Sequence, residues 1–197
     1  MTDARPALID ELVASGLERR EARWLVEEFV PGGDGSARDA LAAAARRRLA
    51  GEPLQYVVGH WPFRGLDLDL DPRVLIPRPE TEGLVDHALA ALARGASPAP
   101  LILDMGCGSG AIGLALVSEL GARGVSATLV GVDQSRDALD VARRNAAKHH
   151  VASASFVRSS WFDDLDPSLA GRCDLVVANP PYVGAAELVN LDAVLSY

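Results

Sequence analysis

The sequence predicts an α/β protein: a parallel sheet with helices packed on it, preceded by a small helical region. Three observations predict this. Leu101-Ile102-Leu103 reads as a buried strand, and it runs through Gly106-Cys107-Gly108-Ser109-Gly110 into the helix-forming stretch Ala111-Ile112-Gly113-Leu114-Ala115-Leu116. Beyond it, apolar strands alternate with helical stretches, which implies parallel strands covered on both faces. Ahead of it, apolar residues recur at helical spacing.

The totals fit. A chain of 197 residues holds one full domain and a small extra one. Hydrophobic content of 49% with 23% charged residues suits a globular protein. A net charge of −8 argues against broad, sequence-blind binding to nucleic acid. The run Arg46-Arg47-Arg48 is a local exception, read as a solvated helix face. Two cysteines, Cys107 and Cys173, form neither a disulfide framework nor a zinc site. The four histidines have no ligand spacing, so no metal is expected. The acidic, amphipathic start differs from a signal peptide, and no apolar run reaches membrane-spanning length. The expected setting is the cytoplasm.

The first elements are helices. Leu8, Ile9, Leu12, Val13, Leu17, Leu25, Val26 and Phe29 suit one or two amphipathic helices broken near Ser15-Gly16. Pro31-Gly32-Gly33-Asp34-Gly35 is a loop, and Ser36 caps a third helix ending near Gly51. Residues 1–50 thus form a helical cap, and residues 51–82 a connector with a short hairpin around Gly65. Pro77-Arg78-Pro79 fixes an extended loop before the next helix. Residues 83–197 form the main domain. Its later strands are Thr128-Leu129-Val130-Gly131-Val132-Asp133, Ala154-Ser155-Phe156-Val157 and Cys173-Asp174-Leu175-Val176-Val177-Ala178. Such sheets bind ligands at the carboxyl ends of their strands. Residues 106–110, Asp133, Ser160-Trp161 and Asn179-Pro180-Pro181-Tyr182 all fall there.

Two cofactors compete for the glycine turn. Gly108-Ser109-Gly110-Ala111-Ile112-Gly113 matches the dinucleotide fingerprint, with Asp133 placed for a ribose. The frame Asp104-x-Gly106-x-Gly108-x-Gly110 instead fits S-adenosyl-L-methionine. Charge favours the second: an acid at the mouth of the turn repels a pyrophosphate and attracts a sulfonium and an ammonium. Gly106, Gly108, Gly110 and Asp133 are the candidate cofactor residues, with Trp161 against the adenine.

Asn179-Pro180-Pro181-Tyr182 suggests the acceptor. An amide or exocyclic amine nitrogen is a poor nucleophile because its lone pair is delocalised. The Asn179 side-chain oxygen and the Pro180 carbonyl can hold its hydrogens and turn that lone pair outward. Consecutive prolines stiffen the loop and withhold N–H donors, and Tyr182 offers a flat face. Asn179, Pro180 and Tyr182 are therefore the candidate catalytic residues, and all four residues the substrate site. Positioning, not a metal or strong base, would drive the displacement.

The chain resembles the HemK/PrmC family of protein-(glutamine-N5) methyltransferases. The resemblance lies in Gly51-Glu52-Pro53-Leu54-Gln55-Tyr56, Gly59, Phe63 and Leu75-Ile76-Pro77-Arg78-Pro79-Glu80-Thr81-Glu82, and then in residues 104–110 and 179–182. It implies a Rossmann-like S-adenosylmethionine-dependent methyltransferase sheet with a small N-terminal helical domain. It also implies that Gly106, Cys107, Gly108, Ser109, Gly110, Asp133, Trp161 and Asn179 contact the cofactor. The implied partner is a peptide-chain release factor, docked on the helical cap, with methyl transfer to the glutamine N5 of its Gly-Gly-Gln loop.

Three departures from the family pattern stand out. The helical region is short, and Ser160 stands where the family has an acid. The chain stops at Tyr197, before the family's last three strands. The expectation is therefore an incomplete domain with an apolar strand edge at 175–178, poorly stable or dimerising there, and with little activity. Rival functions are an adenine-N6 nucleic-acid methyltransferase, disfavoured by the acidic chain, and a catalytically dead cofactor-binding module.

Overall fold

The computed structural model describes residues 3–32, 38–95 and 97–180. The chain divides into two compact units, one running to Gly59 and the other starting at His60.

The first unit is helical: α1 (Arg5–Ala14), α2 (Arg19–Phe29), α3 (Arg38–Leu49) and α4 (Leu54–Val58). The expected break follows α1, where Gly16 at φ +109 donates its N–H to the Val13 carbonyl at 3.0 Å. Leu8, Leu25, Val26, Leu41 and Val57 form the core. Val57 lies on α4, so residues that the sequence assigns to the connector pack with the helices. The Ser36 cap lies outside the described residues. Arg46 and Arg47 are exposed on α3, the solvated face expected, and the run also makes ion pairs. Arg47 Nε donates to Glu52 at 2.8 Å and its Nη2 to the Tyr56 carbonyl at 3.1 Å, while Arg48 pairs with Glu21 at 2.9 Å.

The second unit opens with an antiparallel hairpin, β1 (His60–Phe63) and β2 (Leu66–Asp69). Its two-residue turn, Arg64-Gly65, has φ of +48 and +79, the primed geometry that matches strand twist. A 3₁₀ turn at Pro79–Thr81 leads into α5 (Glu82–Gly95). Then follow β3 (Leu101–Met105), α6 (Ala111–Ala122), β4 (Thr128–Asp133), α7 (Arg136–Lys148), β5 (Ala154–Arg158) and β6 (Leu175–Ala178).

The four strands β3 to β6 pair in parallel in the order β5-β4-β3-β6. From β3 the chain winds outward to β5, then returns to the other side of β3, so the order switches between β3 and β6. Asp174 sets the last register: its N–H donates to the Leu101 carbonyl and its carboxylate accepts the Leu101 N–H at 2.8 Å. Among the described residues β6 is an edge strand.

The two faces are covered differently. Ile102, Leu129 and Val177 pack with residues of α5, α6 and α7 in one cluster. Leu103, Met105, Val130 and Val132 point the other way, against Leu165 and Cys173. Both faces are buried, as the strand–helix alternation predicts. Between β5 and β6, however, the chain makes turns and one 3₁₀ turn, Pro167–Leu169, instead of an α-helix.

Candidate functional site

The glycine turn occupies the end of β3 beside the end of β4. The Gly106 and Cys107 N–H groups both donate to the Val132 carbonyl, at 2.8 and 2.9 Å, and Gly110 N–H closes onto the Cys107 carbonyl at 2.8 Å. Gly106, Gly108 and Gly110 have φ of +70, +54 and +81. Their surroundings separate their roles. A β-carbon on Gly106 or Gly108 would stand in open space, whereas one on Gly110 would meet Leu114 at 3.0 Å and Ala142 at 3.4 Å. The first two keep a cradle clear, and the third lets α6 pack. Between them, Cys107 and Ser109 turn their side chains inward. Burial, then the charges of Asp104 and Asp133, push the Cys107 thiol well up, so it is no nucleophile at neutral pH.

Asp104 is not at the mouth of the turn, as the charge comparison assumed. It is 1% exposed, and its side chain points from β3 into the helix-covered face, with Oδ2 accepting the Gly113 N–H at 2.9 Å. An even-numbered residue of β3 shares the face of Ile102, and α6 packs over that face. Burial chiefly, with the charge of Asp133 added, pushes the Asp104 carboxyl up to about 7 against the opposing Gly113 hydrogen bond. The acid within reach of the cradle is Asp133 instead. Its Oδ2 accepts the Gly108 N–H at 3.0 Å and its Oδ1 the Ser135 N–H at 2.9 Å. Two N–H donors fix the carboxylate and leave lone pairs for a diol.

Ser159, next along from β5, is buried. Its N–H donates to the Asp133 carbonyl at 3.1 Å and its hydroxyl accepts the Asp164 N–H at 3.0 Å. The turn between these contacts presents Trp161 at φ +52 and 53% exposed, with Phe162 equally open. Trp161 is not a core residue. A bulky side chain held in a left-handed conformation and facing solvent is backbone strain of the kind that gathers at ligand sites.

Asn179 follows β6. Met105 and Ala178 are register partners, so the glycine turn and Asn179 leave adjacent strand ends at the switch in strand order. The Asn179 Nδ2 donates to Thr81 Oγ1 at 3.4 Å, which ties it to the 3₁₀ turn before α5. Asn179 and Pro180 are half-buried, and Pro181 and Tyr182 lie outside the described residues.

One polar residue of the site's support escapes sequence reasoning. Asn145 of α7 is 0% exposed. Its Oδ1 accepts the Asp69 N–H at 2.7 Å, and its Nδ2 donates to the Asp69 carbonyl at 3.1 Å and the Ser109 carbonyl at 2.9 Å. A signal was present: Asn145 continues the apolar stripe of Ala138, Val141 and Ala142.

A cradle that two missing β-carbons keep open, beside a fixed carboxylate, fits a nucleoside-bearing cofactor such as S-adenosyl-L-methionine. Among the described residues no group of three or more His, Cys, Asp or Glu could hold a metal ion, and no helix is long and apolar enough to cross a membrane.

Comparison with known proteins points to a methyltransferase. Residues 98–196 match a family model described as a methyltransferase domain. The release factor glutamine methyltransferase of Burkholderia pseudomallei is 40% identical over 200 residues, covering 92% of this chain and 67% of that protein. That of Aliivibrio fischeri is 44% identical over 141 residues, covering 72% of this chain and 46% of its own length. The chain spans about half the length of most of the curated relatives it matches. Among solved structures, the human methyltransferase 10 domain containing protein has the same fold. It gives a TM-score of 0.51 at 17% identity, over 77% of this chain and 65% of the other.

Proposed function

The chain belongs to the HemK/PrmC family of release factor glutamine methyltransferases, and from that premise we propose that it transfers a methyl group from S-adenosyl-L-methionine to the side-chain amide nitrogen, N5, of a glutamine in a peptide-chain release factor. The observation that carries this reading is the pairing of two strand ends. Met105 opposite Ala178 brings an open glycine cradle beside an asparagine suited to a planar amide.

S-adenosyl-L-methionine, when bound, supplies an electrophilic methyl group on a positively charged sulfur. Gly106 and Gly108 let it approach the backbone, Asp133 accepts from its ribose hydroxyls, and Trp161 covers its adenine. Asn179 Oδ1 and the Pro180 carbonyl accept the two amide hydrogens of the target glutamine. Drawing these hydrogens out of the amide plane makes the nitrogen pyramidal, which frees its lone pair from conjugation and directs it at the methyl group. Pro181 withholds a competing N–H, and Tyr182 packs its ring on the amide. The N–H proton leaves for solvent after transfer. The helical unit is the docking surface for the release factor, and the setting is the cytoplasm.

The test is transfer of a tritiated methyl group to a release factor, to its Gln→Ala variant at the Gly-Gly-Gln loop, and to duplex DNA. Label on the release factor that vanishes in the Ala variant is the expected result. Label on DNA would mean an adenine-N6 activity, and cofactor binding without any transfer would mean an inactive binding module.

A further inference from the structure

We propose that Asn145 is a positioning residue for the cofactor cradle, fastening the glycine turn to the β1–β2 hairpin so that hairpin docking and cofactor binding are coupled. The inference rests on the reading of residues 106–110 as the S-adenosylmethionine turn.

The geometry uses the whole side chain. A carboxamide offers one acceptor oxygen and two N–H donors in a single plane. Asn145 spends the oxygen and one N–H on the two backbone groups of Asp69 and the other N–H on the Ser109 carbonyl, with no solvent contact. Asp lacks the donors and Leu lacks everything polar, so few side chains could bridge these three groups. Asparagine is also a poor helix former, and nothing local favours it in the last turn of α7.

Ser109 stands between Gly108 and Gly110, two residues at positive φ with little steric preference of their own. Anchoring its carbonyl inward fixes the peptide plane that the two glycines leave loose. That keeps this carbonyl from turning into the cradle. The other end of the bridge is held as well. Lys148 pairs with Asp67 and Asp69 at 2.8 and 2.7 Å, His149 Nε2 meets the Asp67 carbonyl at 2.8 Å, and Arg144 pairs with Asp71 at 2.9 Å. The second half of α7 is thus a track for residues 67–71. Asn145 is the residue on it that also bonds the glycine turn. Whatever loosens the hairpin loosens the turn, and by linkage a cofactor that orders the turn must secure the hairpin.

The experiment measures S-adenosylhomocysteine binding by calorimetry to wild type and Asn145→Ala, at a temperature where circular dichroism shows both folded. Turnover is then followed at saturating cofactor. Expected is a Kd raised about tenfold or more, the cost of a buried carbonyl without its donor, with kcat changed much less. A lower Tm with Kd within about twofold of wild type would make Asn145 a purely structural residue and overturn the proposal. Should the variant fail to fold, hydrogen exchange on wild type decides. S-adenosylhomocysteine should slow the Asp69 amide along with those of the glycine turn, and an unaltered hairpin overturns the coupling. Wild type that binds no S-adenosylhomocysteine would instead overturn the reading of the turn itself, and the inference with it.

Discussion

The Gly113 N–H, in the first turn of α6, donates to Asp104 Oδ2 of β3 at 2.9 Å. The contact caps the helix from the neighbouring strand, because Gly110 at the N-cap position has no side chain to do so. The other oxygen of Asp104 is buried without a partner among the described residues. An ionised carboxylate there is costly, which is why the carboxyl is pushed up to about 7 from its ordinary 3.8.

A pH dependence follows. The folded state holds this proton more tightly than the unfolded chain does. The contribution of Asp104 to stability is therefore fully present below pH 4 and is lost as pH rises through 7. Asp104→Asn keeps the acceptor for Gly113 and removes the ionisation. Urea denaturation should find the two proteins alike near pH 4 and the variant increasingly more stable up to pH 7. A constant difference across that range would mean that Asp104 does not titrate there.

The glycines divide into two kinds, and substitution should separate them. A β-carbon on Gly113 would stand 2.6 Å from a Leu129 methyl and 2.9 Å from Asp104 Oδ2, so Gly113→Ala should cost about 1–3 kcal/mol of stability by overpacking. Gly108→Ala meets open space, and its strain at φ +54 should cost only about 1 kcal/mol. The same methyl would stand in the cofactor's place, so its main effect should be on S-adenosylhomocysteine affinity. Paired denaturation and calorimetry measure both.

Asn179→Ala should lower kcat with little change in cofactor Kd, since its proposed work is on the acceptor amide. Thr81→Val removes the hydroxyl that meets Asn179 Nδ2 at 3.4 Å and keeps the side-chain shape. A smaller loss of kcat, about fivefold for one long hydrogen bond, is expected from it. Equal losses in kcat and cofactor affinity for Asn179→Ala would assign it to the cofactor instead.

What the sequence reveals here is what local pattern encodes. β3, the glycine turn and the start of α6 are one continuous signal of apolar run, glycines and Ala/Leu stretch, and they stand where expected. So does the hairpin, because Arg64-Gly65 interrupts an alternating pattern. The direction of a side chain across a sheet is not local in that way. Asp104 was readable as an acid near a turn, but only its parity with Ile102 puts it beneath α6. Asn145 was hidden for a similar reason: its partners lie 76 and 36 residues away in sequence. The face over Leu103 and Val130 is buried as expected, but strand–helix alternation does not reveal that the crossover from β5 to β6 is made of turns.

Trp161 offers the sharpest separation of binding from folding. Its φ of +52 is unfavourable for any residue with a β-carbon and worst for a bulky one, and the residue is 53% exposed, so packing returns little. Glycine adopts that backbone freely. Trp161→Gly should therefore leave the Tm unchanged or raise it, the strain relieved being about 1 kcal/mol and partly offset by the greater entropy of an unfolded glycine. If the indole covers adenine, the same variant should bind S-adenosylhomocysteine about tenfold more weakly, the worth of one aromatic contact with its buried area. A core tryptophan would behave in the opposite way, with a large fall in Tm and no specific loss of affinity in the folded protein. A variant as stable as wild type that binds the ligand equally well would leave the adenine without its proposed cover, and would move the search to Phe162, the neighbouring exposed ring.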